Sequence, residues 1–311
     1  MINYNSAAEL RAFLDKEGLG MLKKYGQNFL INPQVRQSLV EALFAGGGAD
    51  GGDETWEIGP GLGAMTEMLL DRGLKVKAFE IDTGFSRILK QLFSAWENFS
   101  LVEGDVMKTW NDSFRANSAP PYLFGNLPYN IAAVLMADLI ENGCFFKRMV
   151  VTVQKEVALR MAASAGSADY SSFSVLCSSF YKVKPLMIIR PSSFYPKPNV
   201  DSMGVLLEKK DSPVYPAVFF PLVRSLFAAR RKTIKNNLSG FLSSKACGTA
   251  KADGVAKAHG ASRSGGKTPA DEICAQVLAE NALTGKERAE QLSPEVFLSL
   301  AKSVERCDHQ R

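Results

Sequence analysis

Residues 56–67 read Trp56-Glu57-Ile58-Gly59-Pro60-Gly61-Leu62-Gly63-Ala64-Met65-Thr66-Glu67. A short apolar stretch around an acid runs into three alternating glycines and then into helix-forming residues. Glycine has no Cβ, so Gly59, Gly61 and Gly63 permit a tight strand-to-helix turn and close approach of a ligand to the backbone. Downstream, Val76-Lys77-Ala78-Phe79-Glu80-Ile81-Asp82 reads as a strand ending in acids. Glu80 stands about 20 residues past the turn, where an acid on a nucleotide ribose belongs. The pattern predicts an α/β fold with a parallel sheet and a nucleotide-type ligand at its carboxyl edge. Gly59-x-Gly61-x-x-Ala64 also satisfies the dinucleotide pattern, so the turn alone does not choose the cofactor.

Three further features favour S-adenosylmethionine over a nicotinamide dinucleotide. The glycines alternate after an acid, as Glu57-x-Gly59-x-Gly61-x-Gly63. A third strand, Ser100-Leu101-Val102-Glu103-Gly104-Asp105, ends in a carboxylate able to accept from an adenine amino group. A fourth, Tyr122-Leu123-Phe124-Gly125, stops at Asn126-Leu127-Pro128-Tyr129. In an open parallel sheet the carboxyl ends of successive strands converge on one crevice, so these strand ends face one ligand. Pro128 has no N–H and pushes Leu127 toward an extended conformation, so the backbone leaves the sheet there. The turn presents the Asn126 amide, a free backbone carbonyl and the Tyr129 ring together. That trio suits a flat substrate with an exocyclic amino group: the ring stacks on the base and the two oxygens accept its N–H groups.

With these motifs and others the chain resembles the small-subunit ribosomal RNA adenine dimethyltransferases of the KsgA/RsmA family. The likeness runs from about Lys23 to Leu238 and resumes near Arg288–Leu300. It includes Tyr25-Gly26-Gln27-Asn28-Phe29-Leu30, Phe79-Glu80-Ile81-Asp82, Gly104-Asp105 and Gly125-Asn126-Leu127-Pro128-Tyr129-Asn130. Val153-Gln154-Lys155-Glu156-Val157, Phe194-Tyr195-Pro196-Lys197-Pro198-Asn199-Val200-Asp201-Ser202 and Arg230-Arg231-Lys232-Thr233-Ile234 complete the set. The resemblance implies a Rossmann-like class I S-adenosylmethionine-dependent methyltransferase domain with a small C-terminal helical domain. It implies cofactor contacts from Asn28, Leu30, Gly59, Glu80, Asp105 and Asn126, with Gly61 beside them in the turn. It also implies transfer of methyl groups to N6 of adjacent adenosines near the 3′ end of small-subunit (16S) RNA. Leu127, rather than Ile, in the Asn-x-Pro-Tyr turn is more like this family than like the erythromycin-resistance (Erm) enzymes, which modify large-subunit (23S) RNA.

On this reading the substrate adenine is held by Asn126, Leu127, Pro128 and Tyr129. Phe194 serves either as a second stacking wall or as a hydrophobic plug. The difficulty of the reaction lies with the acceptor, whose N6 lone pair is delocalised into the ring. Hydrogen bonds accepted by the Asn126 side chain and the Leu127 carbonyl favour the pyramidal nitrogen that attacks. The target must be unpaired or flipped out. Two competing readings stand beside this one: an Erm-like 23S methyltransferase, and a non-catalytic ribosome-assembly or RNA-binding factor on the same scaffold.

At 311 residues the chain is long enough for one sizeable α/β core and a second small domain. The expected organisation is a cofactor-binding domain over 1–210 and a helical RNA-binding domain over 211–311. Strands are predicted at 56–59, 75–80, 99–103, 121–125 and 149–154, a loop at 27–30, a helix opening at Pro33, and an antiparallel pair at 187–189 and 202–208. Ser243–Ala270 holds no Leu, Ile, Met or aromatic residue, so a flexible insertion is expected there. Between Lys182 and Lys235 eleven Lys/Arg stand against three Asp/Glu, the footprint of a polyanionic partner. Val218, Phe219, Leu222, Val223, Leu226 and Phe227 repeat at helical spacing. That helix is expected to run into Arg230, Arg231, Lys232 and Lys235, which would contact RNA phosphates. Five scattered cysteines without CxxC spacing read as reduced thiols of a cytoplasmic protein. His259 and His309 lie in polar stretches, and no metal is expected. No run approaches the ~18 apolar residues of a membrane span, and the start lacks the pattern of a secretory signal. The expected partner is small-subunit rRNA or an immature 30S subunit, met by a monomer.

Overall fold

The computed structural model describes residues 2–21, 26–117, 119–211, 214–246 and 268–309. The chain divides into two compact units. The first comprises Met1–Leu159 with Tyr181–Lys209, and the second Arg160–Phe180 with Lys210–Arg311.

In chain order the elements are α1 (Ala7–Lys16), β1 (Phe29–Leu30), α2 (Pro33–Phe44), β2 (Glu54–Ile58), α3 (Ala64–Asp71), β3 (Lys75–Glu80) and α4 (Thr83–Leu92). Then come β4 (Phe99–Glu103), α5 (Val106–Asn117), β5 (Tyr122–Asn126), α6 (Ala132–Glu141), β6 (Arg148–Gln154), α7 (Lys155–Ala162) and α8 (Ser172–Phe180). The chain continues through β7 (Tyr181–Ile189), β8 (Phe194–Tyr195), β9 (Ser202–Lys209), α9 (Phe219–Ala228), α10 (Ile234–Ala246), α11 (Pro269–Glu280) and α12 (Pro294–His309).

The first unit is built on a seven-stranded sheet in the order β4-β3-β2-β5-β6-β9-β7. The pairs from β4 to β6 are parallel, and β9 runs antiparallel to both β6 and β7. A parallel sheet covered on both faces needs apolar residues at successive positions. The strands meet that need with buried Trp56 and Ile58 on β2, Tyr122, Leu123 and Phe124 on β5, and Met149, Val150 and Val151 on β6. From β2 the chain proceeds to β3 and β4 on one side, and returns to lay β5 on the other. The carboxyl ends of β2 and β5 are thus neighbours at the switch point, where open α/β sheets bind ligands. Helix starts follow local chemistry. Asn32 accepts from the Val35 N–H with Pro33 opening α2, and Asp82 accepts from Gly84 and Phe85 to cap α4.

Several expectations need correction. Residues 29–30 form a strand rather than a loop, pairing Phe29 with Tyr195 and Leu30 with Phe194. Neighbouring Ile31 N–H also bonds the Ser193 carbonyl. The strand expected over 187–189 begins at Tyr181, with an irregularity between Pro185 and Met187. Pro185 cannot donate to a ladder, which suits it to this edge strand.

The second unit packs α9–α12 around Leu222, Leu226, Phe227, Phe297, Leu300 and Val304. It also takes in α8, which lies within the 1–210 span expected for the first domain. Tyr170, just before α8, explains the difference. Its ring meets Phe227 edge-on and its hydroxyl donates to the Leu292 carbonyl at 2.9 Å. Of the insertion expected over 243–270, residues 243–246 end α10, while Thr268 caps α11 through a capping box with Asp271. Residues 247–267 lie outside the described residues. Among the described residues no helix is long and apolar enough to cross a membrane.

Phe194 is 1% exposed and packs in the core cluster with Leu30, Leu39 and Ile189. Phe194→Ala is therefore expected to cost about 3–5 kcal/mol by leaving a cavity. Urea denaturation reads this as a lowered midpoint; an unchanged midpoint would mean that the ring does not support the core.

Candidate active site

A cavity opens at the carboxyl edge of β2, β3, β4 and β5, wholly within the first unit. Asn28, Leu30, Gly59, Gly61, Glu80, Asp105, Asn126, Leu127, Pro128 and Tyr129 all line it. The structure thus brings together every candidate residue of the first unit except Phe194, whose ring is buried in the core cluster.

The glycine turn works by close approach. Gly61 sits at φ +61°, and a Cβ there would lie 2.9 Å from the Phe29 ring. Gly59, at φ +70°, would carry its Cβ 3.6 Å from the Asn126 carbonyl, with its own N–H bonded to Phe79 O. The backbone floor of the cavity can therefore meet a ligand directly.

Two carboxylates stand at the next strand ends. Glu80 ends β3 and is 5% exposed. One of its oxygens accepts from the Gly61 N–H at 3.1 Å and the other from the Asp82 N–H at 2.9 Å. Burial raises its pKa to about 7, against the pull of those backbone bonds. Asp105 follows β4 and accepts from the Met107 N–H at 3.0 Å. A pair of acids on adjacent strand ends, above a backbone cradle, fits the hydroxyls and amino group of an adenosine.

The fourth strand end is held by several hydrogen bonds. Asn126 Nδ2 donates to the Asn28 carbonyl at 2.8 Å, which leaves the amide oxygen as the acceptor end. The Leu127 N–H bonds Thr152 O at 3.0 Å and fixes the plane of the turn. Pro128 O accepts from the N–H groups of Ile131 and Ala132, turning the chain into α6. The Tyr129 hydroxyl shares a hydrogen bond with Ser202, and burial raises its pKa.

Beneath the cavity floor Glu57 is fully buried on β2. Thr66 Oγ1 donates to one of its oxygens at 2.6 Å, and the other has no partner among the described residues. Burial pushes its pKa up to about 8, with the negative charge of Glu80 adding to the shift.

Sequence reasoning missed Tyr4, Leu10 and Arg36, which also line the cavity. Tyr4 and Leu10 could be found only through tertiary packing. Arg36 carried a signal, because it falls on the apolar stripe of α2 with Leu39, Val40 and Leu43. Among the described residues no group of three or more His, Cys, Asp or Glu side chains is placed to hold a metal.

In the second unit the basic cluster is not the end of a continuous helix, because α9 stops at Ala228 and α10 begins at Ile234. Arg230 is engaged within its own unit, donating to Tyr170 O at 3.1 Å and pairing with Glu290 at 3.4 Å. Arg231, Lys232 and Lys235 are exposed.

The raised acids carry a pH consequence. Between their ordinary value of 4.5 and about 8, the folded protein holds protons that the unfolded chain releases. Their contribution to stability is therefore complete below about 4.5 and is lost progressively as pH rises from there to about 8. Glu57→Gln, which mimics the protonated group, is expected to flatten this decline in urea midpoints measured across that range. Equal slopes in the two proteins would contradict it.

The chain is similar to known proteins along most of its length. A model of the family described as "Ribosomal RNA adenine dimethylase" matches residues 20–264. Ribosomal RNA small subunit methyltransferase A of Treponema denticola is 46% identical over 307 residues, covering 97% of this chain and 96% of that protein. The protein of the same name from Treponema pallidum (strain Nichols) is 40% identical over 305 residues, covering 97% of each. Among solved structures, a dimethyladenosine transferase from Plasmodium falciparum superposes with a TM-score of 0.70 at 26% identity, covering 88% of this chain and 96% of that one. The 23S rRNA methyltransferase ErmE shares the fold at a TM-score of 0.59 and 18% identity, over 89% of this chain and 99% of that one.

Proposed function

Because the chain belongs to the ribosomal RNA adenine dimethylase family, we propose that it dimethylates N6 of adjacent adenosines near the 3′ end of small-subunit rRNA, using S-adenosylmethionine. It is an rRNA methyltransferase of the class I fold. The observation that carries the substrate assignment is the orientation of Asn126, whose donor end is committed to Asn28 O.

Bound S-adenosylmethionine supplies a methyl carbon already made electrophilic by its sulfonium, so the protein need not activate the donor. Gly59 and Gly61 would provide its backbone cradle, Glu80 would accept from its ribose hydroxyls, and Asp105 would accept from its adenine amino group. Asn28 and Leu30 border the methionyl end. For the acceptor base, the Asn126 amide oxygen and the Leu127 carbonyl would each accept a hydrogen bond from the N6 amino group in the first transfer; the monomethylated N6 keeps one N–H, which one of the two oxygens would accept in the second. Such bonds would draw the N6 lone pair out of ring conjugation and leave it available to attack. Tyr129 stacks on the base, its ring steadied through Ser202. In-line positioning of this kind can supply roughly 7–11 kcal/mol of the barrier. No side chain in the cavity is needed as a general base, since the proton can leave after transfer.

Arg231, Lys232 and Lys235 supply sequence-independent phosphate contacts. We infer that the protein acts as a monomer in the cytoplasm, on a small subunit still being assembled. The names of the Treponema relatives favour this over a 23S substrate.

Asn126→Ala is expected to lower methyl transfer to unmethylated small subunits by about 10²–10³, as loss of a preorganised polar contact does. Cofactor binding should persist, weakened but measurable by calorimetry. Normal turnover in this variant would refute the amino-group mechanism. Combined Arg231→Ala, Lys232→Ala and Lys235→Ala should weaken RNA binding and shallow its log–log salt slope by about 0.7–0.9 per lost phosphate contact. An unchanged slope would remove the cluster from the RNA interface.

A further inference from the structure

Arg36 stands on the buried face of α2 and is only 6% exposed, yet it lines the cavity. Its Nη1 donates to the Leu30 carbonyl at 2.7 Å and to the Tyr4 carbonyl at 3.3 Å, while Nη2 donates to Asn5 Oδ1. Its Nε–H is buried with no partner among the described residues. Every group that meets the guanidinium is uncharged, and among the described residues no carboxylate is paired with it. The nearby cavity wall, with Leu10, Leu30, Leu62 and Phe85, offers little further compensation.

A buried cation without a counter-charge is costly, since carbonyl dipoles replace only part of its hydration. Burial accordingly lowers the pKa of Arg36, the direction expected of a cation short of counter-charge. A ligand anion arriving in the cavity would relieve that cost, and its attraction to the guanidinium would be little screened.

The place of Arg36 selects the anion. Glu80 and Asp105 occupy the strand ends that suit the adenosine. The amino-acid end of the cofactor must then extend from the Gly59 turn toward Asn28 and Leu30, and the Leu30 carbonyl is the group to which Arg36 is bonded. We propose that Arg36 is a cofactor-binding residue that recognises the α-carboxylate of the methionyl group. The guanidinium also secures the backbone at Tyr4 and Leu30, so the same charge that meets the carboxylate organises the wall around it. This inference rests on the S-adenosylmethionine reading above.

The test is calorimetric titration of wild type, Arg36→Met and Arg36→Lys with two ligands, S-adenosylmethionine and its decarboxylated analogue. Wild type is expected to bind the intact cofactor at least roughly tenfold more tightly, the scale of a charge-assisted hydrogen bond. In Arg36→Met that preference should shrink to within about threefold, and Arg36→Lys should keep part of it. A purely structural role would weaken both ligands equally and leave the ratio at the wild-type value, overturning the proposal. Equal affinities in wild type would overturn it without any variant. Wild type that binds neither ligand would instead overturn the cofactor reading on which it rests.

Discussion

The hydrogen bond from Asn126 Nδ2 to the Asn28 carbonyl links residues 98 positions apart and orients the chemistry of the site. A primary amide has a donor end and an acceptor end, and committing one end defines the other. With the donor spent on Asn28, the oxygen is left for an incoming N–H group. The bond requires both halves of the fold around it. Asn126 ends β5, held in parallel register between β2 and β6. Asn28 leads directly into β1, whose pairing with β8 positions the chain beside the cavity. Phe194 serves this arrangement from the core, by anchoring β8 against Leu30.

Charge is distributed around the cavity in a similarly constrained way. Glu57 on β2 and Glu80 on neighbouring β3 lie in low-dielectric surroundings, and the charge of Glu80 adds to the cost of ionising Glu57. Glu80 is partly compensated by backbone N–H groups; Glu57 has Thr66 and one unpartnered oxygen. Arg36 is the opposite case, a buried cation among carbonyls. On the proposed reading, the two strand-end acids and the Arg36 guanidinium would complement a ligand that carries hydroxyl and amino donors together with a carboxylate.

Much of this was legible in the sequence because short-range rules produced it. The glycines of the β2–α3 turn, the acids ending β3 and β4, and the proline that breaks β5 each act within a few residues of their own position. Phe194 was legible as a pair of alternatives, and in the structure its ring is buried in the core cluster. What escaped was what depends on distant partners. Phe29 and Leu30 become a strand only because residues 194–195 pass beside them. The helix before residue 181 joins the second unit because Tyr170 finds Phe227 and Leu292. Tyr4 and Leu10 reach the cavity by tertiary packing, with no motif to announce them. Arg36 interrupted an apolar stripe, a visible anomaly whose meaning required the cavity.

The most direct measurement is incubation of the protein with labelled S-adenosylmethionine and separate unmethylated small and large ribosomal subunits, followed by mass-spectrometric mapping of modified bases. Adjacent N6,N6-dimethyladenosines near the 3′ end of the small-subunit RNA are the predicted result. Methylation confined to large-subunit RNA, or none despite bound cofactor and tight binding to the small subunit, would contradict it.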